Sequence, residues 1–195
     1  MARLARKCSP TSVLDVATGT CDLAIAVARK ACPKSICGVD LSEEMLNVGR
    51  AKVKKANLSE IITLQKGDAE NLPFADDTFD AITVAFGVRN FENLEKGLKE
   101  MHRVLKPGGS CIILEFTMPR RFPVKQLYNF YFRRILPLVG RVVSSNKVAY
   151  TYLPESVKAF PQYADFVDIM KRCGYSSAQY RVLSMGIAAI YIGIK

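Results

Sequence analysis

Ser12-Val13-Leu14-Asp15-Val16-Ala17-Thr18-Gly19-Thr20-Cys21-Asp22 is an apolar run with one carboxylate that breaks into a turn of small residues and then becomes helical. That order reads as strand, loop, helix. Gly19 lacks a side chain and tolerates unusual dihedrals, so such a loop lets backbone N–H groups and a helix N-terminus approach a ligand. The next strand, Ser35-Ile36-Cys37-Gly38-Val39-Asp40, ends in an acid 21 residues after Gly19, where a carboxylate can accept both hydroxyls of a ribose. The dinucleotide fingerprint G-x-G-x-x-G is absent, which weighs against a pyrophosphate ligand. Taken alone, the loop is also what an ordinary strand-to-helix turn looks like. Asp40, and then Gly67-Asp68-Ala69-Glu70 after a third strand, present polar groups at three successive strand ends.

Outward from this stretch, strand and helix alternate. Leu23 to Ala28 starts a helix that Pro33 closes, and Ser42 is an N-cap for a helix with acids in its first turn and Lys52, Lys54 and Lys55 in its last. Residues 61–66 and 79–86 read as the third and fourth strands, and 111–116 as the fifth. Between the last two, Leu94, Leu98, Met101 and Leu105 share a helical face that Lys106-Pro107-Gly108-Gly109 ends. The pattern predicts an α/β fold with a mostly parallel sheet and ligands at the carboxyl ends of its strands. Residues 117–160, rich in aromatics, leucines, arginines and prolines, read as an inserted helical cap, and 161–195 as a helix followed by an antiparallel hairpin around Ser184-Met185-Gly186. The whole of 1–195 is one domain, with a core at 12–116.

The chain has 195 residues and 49% hydrophobic content, enough for one sizeable core. Its net charge of +10 fits either a solvated basic surface or an acidic partner such as a phosphorylated ligand, anionic lipid or nucleic acid. Six cysteines without a C-x-x-C pair, and a single histidine, make no zinc constellation, so no metal is expected and the thiols read as reduced and intracellular. There is neither a secretory signal nor an apolar run of roughly 20 residues. His102, on the flank of an amphipathic helix, reads as structural. Tyr128, Phe130, Tyr131 and Phe132 fit core packing or a substrate lining equally.

Val13 to Thr20, Gly67-Asp68-Ala69-Glu70-Asn71-Leu72-Pro73-Phe74, Phe86-Gly87-Val88-Arg89-Asn90 and Arg103 to Gly109 together resemble the class I S-adenosylmethionine-dependent methyltransferases. More narrowly the chain resembles the ubiquinone/menaquinone biosynthesis C-methyltransferases, through Leu114-Glu115-Phe116, Tyr152-Leu153-Pro154-Glu155-Ser156-Val157 and Gly186-Ile187-Ala188. The resemblance implies a Rossmann-like seven-stranded sheet with the last strand inserted antiparallel. It implies S-adenosyl-L-methionine as cofactor, with Asp15, Gly19, Thr20, Asp40, Asp68, Ala69 and Ala85 at its site. Asp40 takes the ribose, and Asp68 with Ala69 lies beside the adenine. The implied reaction is C-methylation of a reduced polyprenyl quinone, demethylmenaquinol in preference to a methoxybenzoquinol. Its ring carbon attacks once the adjacent hydroxyl is deprotonated, so Arg89 is expected to stabilise the aryl oxyanion with Asn90 as a second donor.

Two residues depart from the family pattern: Cys21 stands where glycine is usual, and Ala85 where serine is frequent. Eleven residues precede Ser12, whereas enzymes of this kind carry a further helical segment that helps cover the cofactor. The chain is therefore expected to be truncated, to fold, and to bind cofactor weakly. Other expectations are a cytoplasmic protein touching anionic membrane at the inner face, compatibility with a homo-oligomer, and no nucleic acid. The rival readings are a nicotinamide oxidoreductase, which should carry G-x-G-x-x-G, an RNA methyltransferase, and a cofactor-binding module without activity.

Overall fold

A computed structural model describes residues 1, 2, 5, 9–120, 122–130 and 155–195. Val13, Leu14 and Val16 offer water nothing polar and are buried, so β1 (Ser12–Val16) runs through the middle of the sheet. It is followed by α1 (Asp22–Ala31), β2 (Ser35–Asp40), α2 (Glu43–Lys55) and β3 (Ile62–Lys66). Next come β4 (Phe79–Ala85), α3 (Leu94–Val104), β5 (Leu105–Phe116) and α4 (Val124–Phe130), then α5 (Ala164–Arg172), β6 (Ser177–Leu183) and β7 (Ala188–Ile194). The seven strands lie in the order β3-β2-β1-β4-β5-β7-β6. The first five are parallel, and β7 is antiparallel to both β5 and β6. Of the hairpin expected at the sheet edge, only β6 is an edge strand.

Strand order reverses at β1, which pairs with β2 on one side and β4 on the other. A crevice opens there beyond the carboxyl ends. Leu14, Val16, Ile82, Val84 and Ile113 meet α3 and α5 on one face, through Leu98, Met101, Phe166 and Met170. Val13, Ile36, Ala81 and Ile112 meet Ala24 and Val27 of α1 and Val53 of α2 on the other. The result is three layers. α2 is capped as its sequence predicts, with the Met45 N–H donating to Ser42 Oγ at 3.3 Å. Asn93 caps α3, accepting from Lys96 N–H at 3.0 Å.

The helix stops at Val104, just before Lys106-Pro107-Gly108-Gly109 as expected, and those four residues continue into β5, where Gly108 N–H and Gly109 C=O bond to Lys195 just past the end of the neighbouring β7. The five-residue step from Leu105 to Ser110 faces only Phe79 to Ala81, so this stretch is a bulge. Of the expected cap, α4 and a helical turn at 155–159 are described. Tyr131, Phe132, the side chain of Phe130 and residues 131–154 lie outside the described residues.

Tyr191 of β7 is wholly buried, and its hydroxyl accepts the N–H of Tyr163 at 2.9 Å at the start of α5. Tyr163 has a positive φ of 59° and in turn donates its hydroxyl to Met118 C=O at 2.9 Å. Tyr191→Phe strands a buried N–H, and urea unfolding should show a loss of about 1–3 kcal/mol. An unchanged midpoint would mean the N–H finds another acceptor.

Candidate functional site

The loop after β1 is built from positive φ values at Ala17 (52°), Gly19 (55°) and Cys21 (68°). It is held from below by Asp15, whose carboxylate is buried in β1. Thr18 Oγ1 donates to one oxygen at 2.6 Å, and Thr83 Oγ1 to the other at 2.5 Å. Thr83 reaches it because β1 and β4 pair in register at these two residues. Burial pushes the Asp15 carboxyl up to about 6; the two hydroxyls pull it down, and the Asp40 charge pushes it further up.

Asp40 closes the loop from the β2 side. Its Oδ2 accepts Gly19 N–H at 2.8 Å and its Oδ1 accepts Ser42 N–H at 2.9 Å, so one carboxylate ties the β1 loop to the start of α2. A carboxylate has about four acceptor positions, so two remain for a ligand.

The third strand end is fixed by α3. Arg103 donates to the carbonyls of Phe74 and Leu72, at 2.8 and 3.0 Å, and to the Glu100 and Asp76 carboxylates. Glu100 accepts Leu72 N–H at 2.9 Å. Within the turn, Asp68 Oδ1 accepts Glu70 N–H at 2.8 Å, so Asp68 is a turn former and also faces the crevice.

Two adjoining clefts result. One, of about 380 Å³, gathers Asp40, Asp68, Ala69, Gly87, Asn90 and Phe91. The other, of about 410 Å³, gathers Asp15, Thr18, Asp22, Ala85 and Phe86, and Ala17 lines both. Gly87 is required here, because a Cβ on it would stand 2.5 Å from that of Ala17. Carboxylate acceptors in both clefts suit a ligand that donates ribose hydroxyls and carries a positive charge at one end. Gly19 serves through its dihedral; a Cβ there would meet only Met45 Cε at 3.6 Å.

The structure does not bring Thr20 to either cleft. Its hydroxyl donates to Asp22 at 2.7 Å and accepts from Lys52 Nζ at 2.9 Å. Cys21 likewise lines neither; its side chain is buried toward Gly49. Arg89 lines neither of these two clefts. Its Nη1 donates to Glu115 Oε1 at 2.9 Å and to Phe86 C=O, and its main-chain N–H donates to Glu115 Oε2 at 3.2 Å. The guanidinium lies 5.5 Å from the centre of the Phe116 ring. Arg89 lines a third cavity, of about 440 Å³, with Val88, Phe91, Leu94 and Phe160 among its walls. Nε of Arg89 is buried without an acceptor among the described residues.

Glu115 and Thr83 are buried polar residues at the candidate site to which the sequence reading gave no role. Each stands among apolar neighbours, Thr83 between Ile82 and Val84 and Glu115 between Leu114 and Phe116, which is the signal that could have flagged them. Glu115 is fully buried, and burial pushes its carboxyl up against the opposing pull of Arg89.

Known structures similar in fold include a putative O-methyltransferase from Nostoc punctiforme. It is 18% identical with a TM-score of 0.74, covering all of this chain and 54% of that one. An S-adenosylmethionine-dependent methyltransferase from Thermotoga maritima is 22% identical with a TM-score of 0.64, covering all of this chain and 87% of that one. Both likenesses concern the fold alone. In sequence the chain is 50% identical to a demethylmenaquinone methyltransferase of Bacteroides fragilis, over 95% of this chain and 76% of that protein. It is 50% identical to the enzyme of the same name from Porphyromonas gingivalis, over 99% and 79%. It is 47% identical to a ubiquinone/menaquinone biosynthesis C-methyltransferase of Geotalea daltonii, over 94% and 78%. The sequence matches the ubiE/COQ5 methyltransferase family along residues 1–195, and with half its residues shared with such relatives the chain belongs to that family.

Proposed function

We propose that this protein transfers a methyl group from S-adenosylmethionine to a ring carbon of demethylmenaquinol. The observation that carries this reading is the 50% identity, over nearly the whole chain, to enzymes named for that substrate. Bound S-adenosylmethionine supplies an electrophilic methyl group on a sulfonium. Asp40 would hold the ribose, Asp68 and Ala69 would flank the adenine, and Asp15, Thr18 and Ala85, around the loop that Gly19 turns, would receive the methionine half, with Ala17 common to the two clefts. Asn90 lines the adenosine cleft, one residue from Phe91, which lines that cleft and the Arg89 cavity both, and is assigned as a second donor toward the reacting oxygen.

The quinol is assigned to the cavity that Arg89 and Phe160 line. The Arg89 Nε–H, without an acceptor among the described residues, is a standing cost of about 1–3 kcal/mol that an aryl oxyanion reaching it would offset. A guanidinium stays charged above pH 12, so Arg89 stabilises the oxyanion and does not take its proton. Side-by-side methyl transfer from labelled cofactor to demethylmenaquinol and to the methoxybenzoquinol decides the substrate. The naphthoquinol is expected to win in kcat/KM by at least about tenfold. A preference for the benzoquinol, or transfer to neither, overturns the assignment.

A prenylated substrate places this site at a bilayer surface, and we assign the protein to the inner face of the membrane. No helix among the described residues is long and apolar enough to cross a membrane. Phe122 and Met185 are 80% and 76% exposed, and their neighbours Pro119 and Gly186 come together beside β5. With a net charge of +10, docking on anionic lipid follows. Sedimentation with vesicles containing phosphatidylserine at low salt should carry the protein down, and about 0.5 M salt should release it. Protein that stays in the supernatant at low salt means the substrate is presented some other way.

A further inference from the structure

Arg89 and Glu115 form a buried ion pair at the carboxyl ends of β4 and β5, their side chains 11% and 0% exposed. The guanidinium also donates to the carbonyl of Phe86, and Phe86 lines the cleft that holds Asp15. An uncompensated positive charge at this place would act across little water, where Coulomb interactions are much stronger than in bulk. The ligand assigned to that cleft carries a sulfonium before transfer, and its thioether product has one positive charge fewer. Glu115 accepts three hydrogen bonds: Arg89 Nη1 at 2.9 Å, Arg89 N–H at 3.2 Å and Phe116 N–H at 2.8 Å. Its position is therefore set by main chain as well as by the guanidinium. Among the described residues the acid in contact with the guanidinium is Glu115, whereas the Asp15 carboxyl bonds the Thr18 and Thr83 hydroxyls and Asp22 pairs with Lys52.

We propose that Glu115 is the built-in counter-charge that lets a cationic methyl donor lie beside Arg89, and so sets the protein's preference between the sulfonium and its neutral thioether product. The proposal rests on the cofactor reading above. It gives Glu115 a task distinct from packing. A carboxylate that only held the turn at Val88–Asn90 in shape would support both ligands alike.

Calorimetric affinities for S-adenosylmethionine and S-adenosylhomocysteine, measured at pH 8.5 on three proteins, test it. Glu115→Gln keeps the shape and leaves Arg89 uncompensated. It should weaken the sulfonium ligand by about tenfold or more and the thioether by less than about threefold. Arg89→Gln leaves the carboxylate's charge with its two main-chain donors, and the ratio should move the other way, in favour of the sulfonium. If Glu115→Gln fails to fold, as its melting curve would reveal, Arg89→Gln carries the test alone. Wild-type protein that binds both ligands, with the same ratio in every folded variant, overturns the counter-charge role. Wild-type protein that binds neither overturns the cofactor reading itself.

Discussion

Asp40→Ala is expected to lower affinity for S-adenosylhomocysteine by more than about tenfold, because two ribose hydroxyls lose their acceptor inside a cleft. The structure adds a second loss that the sequence did not announce. The same carboxylate accepts Gly19 N–H and Ser42 N–H, so alanine also releases the β1 loop from the start of α2. Two part-buried donors without partners are worth about 2 kcal/mol, roughly 4–8 °C in melting temperature for a chain of this size. Asp40→Asn keeps one oxygen acceptor and should fall between wild type and alanine on both scales. Calorimetry showing unchanged affinity in the alanine variant would take Asp40 out of the site, whatever happened to the melting temperature.

Asp15→Asn should stabilise the fold and damage the site. The native carboxyl titrates at about 6 against 3.8 for an ordinary aspartate, so between those values the native state holds a proton that the unfolded chain has given up. Stability from this group is complete below the lower value and is lost as pH rises through the upper one. Above pH 6 the buried charge therefore costs about 3 kcal/mol. Asparagine cannot ionise, and the Thr18 and Thr83 hydroxyls can rotate to serve its amide. The urea midpoint at pH 8 should rise, and its pH dependence between 4 and 6 should flatten. S-adenosylmethionine, losing a negative charge beside its cationic end, should bind about tenfold more weakly or worse. A variant less stable than wild type at pH 8, with affinity intact, would show that Asp15 is a structural carboxylate only.

What could be read in the chain followed from local chemistry. β1 and β2 declare themselves by short, largely apolar runs that lead into polar turns, and Ser42 by its place before Glu43 and Glu44. The crevice follows from strand order, since three parallel strand ends must point the same way. Partnerships between strands were not legible. Nothing in the spacing of Asp15 and Thr83, or of Arg89 and Glu115, says that they touch. That depends on β4 lying between β1 and β5, and on the register of each pairing. Arg89 was expected at the reacting oxygen from its place just past the carboxyl end of β4, and its pairing with Glu115 formed no part of that expectation. The buried acid on the neighbouring strand is what draws it inward. Thr20 was misplaced for a similar reason, as Lys52, one helix away, competes for its hydroxyl.

The insertion of β7 between β5 and β6 also bears on how the molecule is made. Residues through β5 can assemble as soon as they emerge from the ribosome, but the outer edge of β5 then offers unpaired N–H and C=O groups beside Ile112, Ile113 and Leu114. That edge is long, apolar and open until one of the last segments in sequence arrives to seal it. β6 cannot do so, because it pairs only with β7. Synthesis therefore passes through an interval in which a nearly finished sheet carries a sticky border, the kind of surface on which nascent chains cross-pair.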